Sequence, residues 1–257
     1  MTEAPSPGGR SALSLRDVRK RFGPTEIIRG VTLDITAGER HCIIGPNGAG
    51  KTTCFNLISG RFPISSGEIL LHGQRIDTLP PHRINRLGLS RSFQITSIFH
   101  RLSVFENLRC ALLWSMGYKY SFWSPLWRQT ALNERAEALL AELNLASRRD
   151  IQAGLLSYAE QRALEIGMTI AGGASVILLD EPTAGMSNTE TDYAVALIRR
   201  VTEGKTLVMV EHDMKVVFDL ADVITVLVYG QVIASGPPAE VRASRVVQEA
   251  YLGALEG

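Results

Sequence analysis

An α/β fold with a central parallel sheet is predicted by three features of the sequence. The stretch Gly45-Pro46-Asn47-Gly48-Ala49-Gly50-Lys51-Thr52-Thr53 fits the pattern G-x-x-x-x-G-K-[ST]. It follows the apolar run Cys42-Ile43-Ile44, where a buried strand ends, and leads into Cys54-Phe55-Asn56-Leu57-Ile58, which reads as a helix. Next, Val176-Ile177-Leu178-Leu179-Asp180-Glu181 is apolar on both faces, as central parallel strands are, and ends in two carboxylates. Last, Thr206–Val210 is a second buried run, and the runs 223–228 and 231–234 flank a Tyr229-Gly230 turn, a hairpin signal.

The glycine-rich stretch has the chemistry of a phosphate-binding loop. Gly45, Gly48 and Gly50 let the backbone turn tightly and direct N–H groups toward an anion. The following helix N-terminus adds partial positive charge at the same place. Lys51 supplies a full charge for β- and γ-phosphates, and the Thr52 hydroxyl can ligate Mg²⁺. Carboxylates at the C-terminal end of a central strand lie where open α/β sheets bind ligands. Asp180 is placed to hold Mg²⁺, directly or through water, and Glu181 to orient and polarise an attacking water.

Before the loop and after it, short strands alternate with turns: Leu13-Ser14-Leu15, Val31 to Ile35, and Gly67 to Leu71. They predict an antiparallel layer against the nucleotide core. From about Thr96 to Gly154 no strand is evident, and Leu132, Ala136, Leu139 and Leu143 recur at one face of a helix. Within that region, residues 113–128 carry six aromatics. These form either a partner surface or an internally packed insertion.

The 257 residues suffice for one large α/β unit with a subdomain, and 45% hydrophobic content permits a substantial core. No apolar run approaches the roughly 18 residues needed to span a bilayer. Residues 1–12 read as a disordered tail, since Met1 to Arg10 is rich in Pro and Gly and lacks a signal peptide's apolar stretch. Cys42, Cys54 and Cys110 are odd in number and scattered, as reduced thiols in a cytosolic protein are. A net charge of +1 gives no electrostatic case for nucleic acid.

With Leu156-Ser157-Tyr158-Ala159-Glu160-Gln161 between the first two motifs and Glu211-His212-Asp213-Met214 after them, the chain resembles the ATP-binding subunit of an ABC transporter. The resemblance runs from about Leu13 to Gly253. It implies a RecA-like phosphate-loop ATPase core (13–95 and 155–257) with an antiparallel β layer and an inserted α-helical subdomain (96–154). ATP and Mg²⁺ are the implied ligands. The implied partners are a second ATPase subunit, in a hetero- or homodimer, two transmembrane permease subunits and, indirectly, a substrate-binding protein. The implied location is the cytoplasmic face of the membrane.

Residue by residue, the resemblance gives Phe22 the position that stacks on adenine. It gives Gln94 that of the glutamine touching Mg²⁺ or the lytic water and reporting to the membrane partner. His212 matches the switch histidine that hydrogen-bonds the γ-phosphate. Ser157, Ala159 and Glu160 fall in the signature motif, which closes over the γ-phosphate of the opposite subunit. Tyr158, the Glu-His-Asp-Met switch and the ending Val246 to Gly253 resemble branched-chain amino acid uptake systems most closely. Urea uptake, aromatic or small carboxylate uptake and a lipopolysaccharide-export ATPase are the alternatives. Soluble ABC ATPases normally carry a coiled coil or two cassettes, and a regulatory module without turnover would not need Glu181 and His212.

Two departures from the usual pattern stand out. The usual signature is Leu-Ser-Gly-Gly-Gln, and Ala159 replaces its second glycine. If residue 159 needs a positive φ, alanine costs roughly 1 kcal/mol and slows the site that this signature completes. If it lies in the first turn of a helix, alanine is harmless. Further on, Ser187 stands where aspartate is usual; with Glu190 three residues later it reads as a helix-capping box.

Overall fold

The computed structural model describes residues 10–92, 98–118 and 128–253. They form two units, one of residues up to 89 with 175–181 and 204 onward, the other of residues 90–174 and 182–203.

The first unit has two sheets. β1 (Ser11–Phe22), β2 (Thr25–Thr36), β4 (Ser66–Leu71) and β5 (Gln74–Arg75) form the expected antiparallel layer, ordered β2-β1-β4-β5. β1 starts earlier than expected. Ser11 and Ala12 belong to it rather than to a tail over 1–12, because Ala12 is buried and its carbonyl accepts the His72 N–H at 2.8 Å. In the second sheet, β3 (Arg40–Ile44) pairs in parallel with β8 (Thr206–Val210) on one side and β9 (Val223–Val228) on the other. β7 (Val176–Asp180) pairs in parallel with β8, and β10 (Gln231–Gly236) forms the expected hairpin with β9. Every residue of β7 and β8 is buried, which is why neither shows polar alternation in the sequence.

The helix α1 (Lys51–Ile58) joins the two layers. Its Cys54, Phe55, Leu57 and Ile58 share one core with Leu13, Leu15, Ile28 and Ile69 of the antiparallel layer and with Leu178, Val208 and Val210 of the parallel sheet. Each fully buried side chain of that size contributes about 1.5–3 kcal/mol, so α1 is anchored from both sides. Cys42 and Cys54 are free and buried, and burial pushes both thiols up, Cys54 to about 12. The helix α2 (Pro81–Arg86) leads to β6 (Leu89–Arg91), where the chain passes into the second unit.

The second unit is helical: α3 (Val104–Leu112), α4 (Thr130–Glu142), α5 (Tyr158–Ala171) and α6 (Asn188–Val201). The face predicted for α4 is its buried face, with Leu132, Ala136 and Leu139, and the C-cap residue Leu143, all fully covered. The unit is wider than the expected 96–154, because α3 packs on α5 as well as α4, and α5 packs on α6. Capping boxes start three of its helices: Ser103 with Glu106, Ser157 with Glu160 and Ser187 with Glu190. Back in the first unit, α7 (Met214–Leu220), α8 (Pro238–Ala243) and α9 (Arg245–Gly253) complete the chain. Among the described residues, no helix is long and apolar enough to cross a membrane.

Candidate functional site

Three neighbouring parallel strands end together at one edge of the second sheet. Ile43 of β3 lies opposite Val210 of β8, and Val210 lies opposite Asp180 of β7. The glycine-rich loop, the segment Glu211-His212-Asp213 and the pair Asp180-Glu181 therefore leave the sheet side by side, at the carboxyl ends where such sheets bind ligands.

The loop is shaped by close approach. A Cβ on Gly45 would lie 2.0 Å from the Leu227 carbonyl oxygen, so only glycine can carry β3 past that neighbour. Gly50, left-handed at φ 102°, precedes α1, whose first turn has neither a side-chain cap nor an acid. That differs from the boxed starts of α3, α5 and α6, and it leaves N–H groups open to an external anion. Lys51 is buried and its Nζ donates to the carbonyls of Gly45 at 2.6 Å and Pro46 at 3.0 Å, holding the ammonium over the loop. Burial lowers its pKa, against the opposite pull of the Glu181 and Asp180 carboxylates, so cation and carboxylates share one electrostatic site. Thr52 is exposed in the first turn of α1, beside Lys51.

Asp180 ends β7 with 1% of its surface exposed. Glu181 continues the ladder by one bond, its N–H donating to Val210 O at 2.9 Å, and then turns into the left-handed region at φ 48°. For a non-glycine residue that conformation costs about 1–2 kcal/mol. Strain of this kind collects at functional sites, where surrounding structure holds it in place. His212 is exposed; its N–H donates at 3.1 Å to the buried Glu211 carboxylate, which lies 3.8 Å from its Nδ1. Asp213 then caps α7 by accepting the Lys215 N–H at 2.8 Å.

Phe22 ends β1 with 44% of its surface exposed. Phe62 packs edge-on at 5.5 Å, and Lys20 Nζ lies 4.8 Å from the ring centroid. The ring is thus held in place with surface left for a stacking base. Gln94 and residues 119–127 of the aromatic stretch lie outside the described residues.

In the helical unit Ser157 is the N-cap of α5, which makes Ala159 the second residue of the helix. Of the two alternatives for Ala159, the helical one holds. Ala159→Gly should therefore lower stability by about 1 kcal/mol in thermal unfolding and give no gain in ATP turnover. Glu160, expected to face a nucleotide, has both carboxylate oxygens engaged within the unit. One accepts the Ser157 N–H at 2.9 Å, and the other accepts from Arg148 Nε at 2.8 Å. Nothing in the sequence marks Arg148, twelve residues upstream, as that partner. Partial burial raises the Glu160 pKa, but the Arg148 and Ser157 hydrogen bonds outweigh it, and the net shift is downward from 4.5. A lowered folded pKa gives stability that is full above the unfolded value and lost as pH falls through the folded one. Glu160→Gln keeps the cap and should flatten the acid limb of the melting temperature below about pH 4.5.

The ABC transporter family model matches residues 28–184. The chain belongs to the ABC transporter family. As an ABC ATPase subunit it also matches, over residues 231–256, the model of the branched-chain amino acid ATP-binding cassette transporter. It is 36% identical to the high-affinity branched-chain amino acid transport ATP-binding protein BraF of Pseudomonas aeruginosa, across 95% of this chain and 98% of the relative. Identity to LivG of Escherichia coli, which carries the same description, is 35% across 94% and 97%. Among solved structures, an ATP-binding cassette of an ABC transporter in its ADP conformation superposes with a TM-score of 0.82 at 26% identity, covering 95% of this chain and 99% of the other. A nucleotide-free cassette gives 0.80 at 28%, covering 94% and 98%. The ABC cassette fold expected from the motifs is the fold observed.

Proposed function

We propose that this chain is the ATP-hydrolysing subunit of an importer for branched-chain amino acids, docked on the cytoplasmic face of the membrane through two permease subunits. The observation that carries the ATPase half is the register of Ile43, Val210 and Asp180, which gathers loop, carboxylates and histidine at one sheet edge. The substrate half is supported by the match of residues 231–256 and by BraF and LivG.

In this reading the loop N–H groups and Lys51 hold the β- and γ-phosphates, and Phe22 stacks on adenine. Thr52, Asp180 and Gln94 offer hydroxyl, carboxylate and amide oxygens, hard donors that suit Mg²⁺, which would neutralise phosphate charge when bound. Glu181 takes a proton from the attacking water as its oxygen reaches the γ-phosphorus and the bond to ADP breaks. His212 hydrogen-bonds the γ-phosphate. Ser157, at the N-terminus of α5, completes the site of a second cassette, so each nucleotide lies between two subunits.

Without nucleotide the chain should then be monomeric or weakly associated, and ATP with a hydrolysis-blocked variant should raise the dimer population in light scattering. A stable dimer indifferent to nucleotide would contradict shared sites. The substrate assignment is tested by isolating the complex with its membrane subunits and binding protein and measuring ATP turnover with added solutes. Leucine, isoleucine or valine should stimulate it; stimulation by urea or an aromatic carboxylate alone would replace the assignment.

A further inference from the structure

The residue before Ala159 bonds to a different segment of the helical unit. Residues 183–186 form a turn in which the Met186 N–H donates to Thr183 O at 3.2 Å, and Gly185, its third residue, has φ 78°. A positive φ there marks a type II turn, which differs from type I mainly in the direction of the central peptide. The orientation of the Ala184–Gly185 peptide is thus the variable feature of this turn.

Tyr158 fixes it. Its hydroxyl donates to Ala184 O at 2.9 Å and accepts from Arg162 Nε at 3.3 Å. Arginine can only donate, so the tyrosine proton is directed to the carbonyl. Arg162 is in turn held by Glu165, its Nη1 donating to Oε2 at 2.8 Å, and both residues are buried. Its guanidinium lies 5.5 Å from the Tyr158 ring centroid. A buried ion pair thus anchors an exposed ring, which holds a peptide in a turn that begins two residues after Glu181 in sequence. The same ring adjoins Ser157 along the chain.

We propose that Tyr158 is a positioning residue for the ATPase reaction, locking the Ala184–Gly185 peptide to the start of α5 so that Ser157 and the segment leaving Glu181 move together. The inference rests on the proposed roles of Ser157 and Glu181. It leaves the phosphate loop untouched, and therefore acts on turnover rather than on ATP binding by this chain.

The test uses the assembled transporter. Tyr158→Phe keeps the ring and removes the hydroxyl, and should lower kcat roughly fivefold with the KM for ATP unchanged. Replacing Arg162 and Glu165 together by Met removes the anchor without leaving a lone buried charge, and should give a similar loss. Adding Tyr158→Phe to that pair should cost nothing more, since the three act as a unit. Unchanged kcat in Tyr158→Phe, losses that multiply, or a lower kcat accompanied by a raised KM and a reduced melting temperature would each overturn the proposal. Glu181→Gln in the same complex is the control: if it stays active the underlying site reading fails, whereas if only Tyr158→Phe stays active the positioning role alone fails.

Discussion

Glu181→Gln should leave ATP binding nearly intact while reducing hydrolysis by about 10²–10⁴-fold. That is the usual contribution of a positioned general base. Glutamine keeps the size of the side chain, and the backbone bond from residue 181 to Val210 O does not depend on the side chain. The left-handed turn at φ 48° is therefore retained, together with the aim of the side chain. The phosphate cradle keeps its loop N–H groups and Lys51, which loses only the pull of the Glu181 carboxylate. What is lost is the lone pair that accepts the water's proton. Single-turnover hydrolysis and equilibrium nucleotide binding, measured on the same preparation, separate the two effects. Hydrolysis at the unmutated rate would remove Glu181 from the reaction.

Lys51→Ala should act on the other quantity, weakening ATP binding. The Lys51 ammonium donates to the Gly45 and Pro46 carbonyls. An incoming phosphate offers it a charged acceptor instead, and hydrogen bonds to charged groups contribute about 1.5–3 kcal/mol. Removing it should raise the Kd for ATP roughly 10- to 150-fold. The fold should be unharmed, since the core contacts of α1 come from Cys54, Phe55, Leu57 and Ile58. Titration with a fluorescent ATP analogue checks the prediction; an unchanged Kd would contradict the role given to the loop.

Legibility in the sequence followed burial. β7 and β8 are buried at every position and β3 from His41 onward, so β7, β8 and the Cys42–Ile44 end of β3 read as apolar runs. The phosphate loop reads because close backbone approach, such as Gly45 against Leu227 O, demands glycine and no other residue. The box of Ser187 and Glu190 was legible because capping is local. The position of Ala159 was not, since the same residues fit a left-handed turn or a helix start; the N-cap geometry at Ser157 decides it. Long-range partners left no periodic trace: Arg148 on Glu160, Tyr158 on Ala184 O, and the packing of α5 and α6 that widens the helical unit beyond 96–154.

The central claim is that ATP hydrolysis at this sheet edge drives entry of a branched-chain amino acid. The most direct measurement reconstitutes the complete complex in vesicles with ATP on the side of the cassettes and radiolabelled leucine and its binding protein on the other. Leucine should accumulate on the ATP side against its gradient, and Glu181→Gln should abolish accumulation while nucleotide still binds. Leucine movement independent of ATP, or undiminished in Glu181→Gln, would contradict the account.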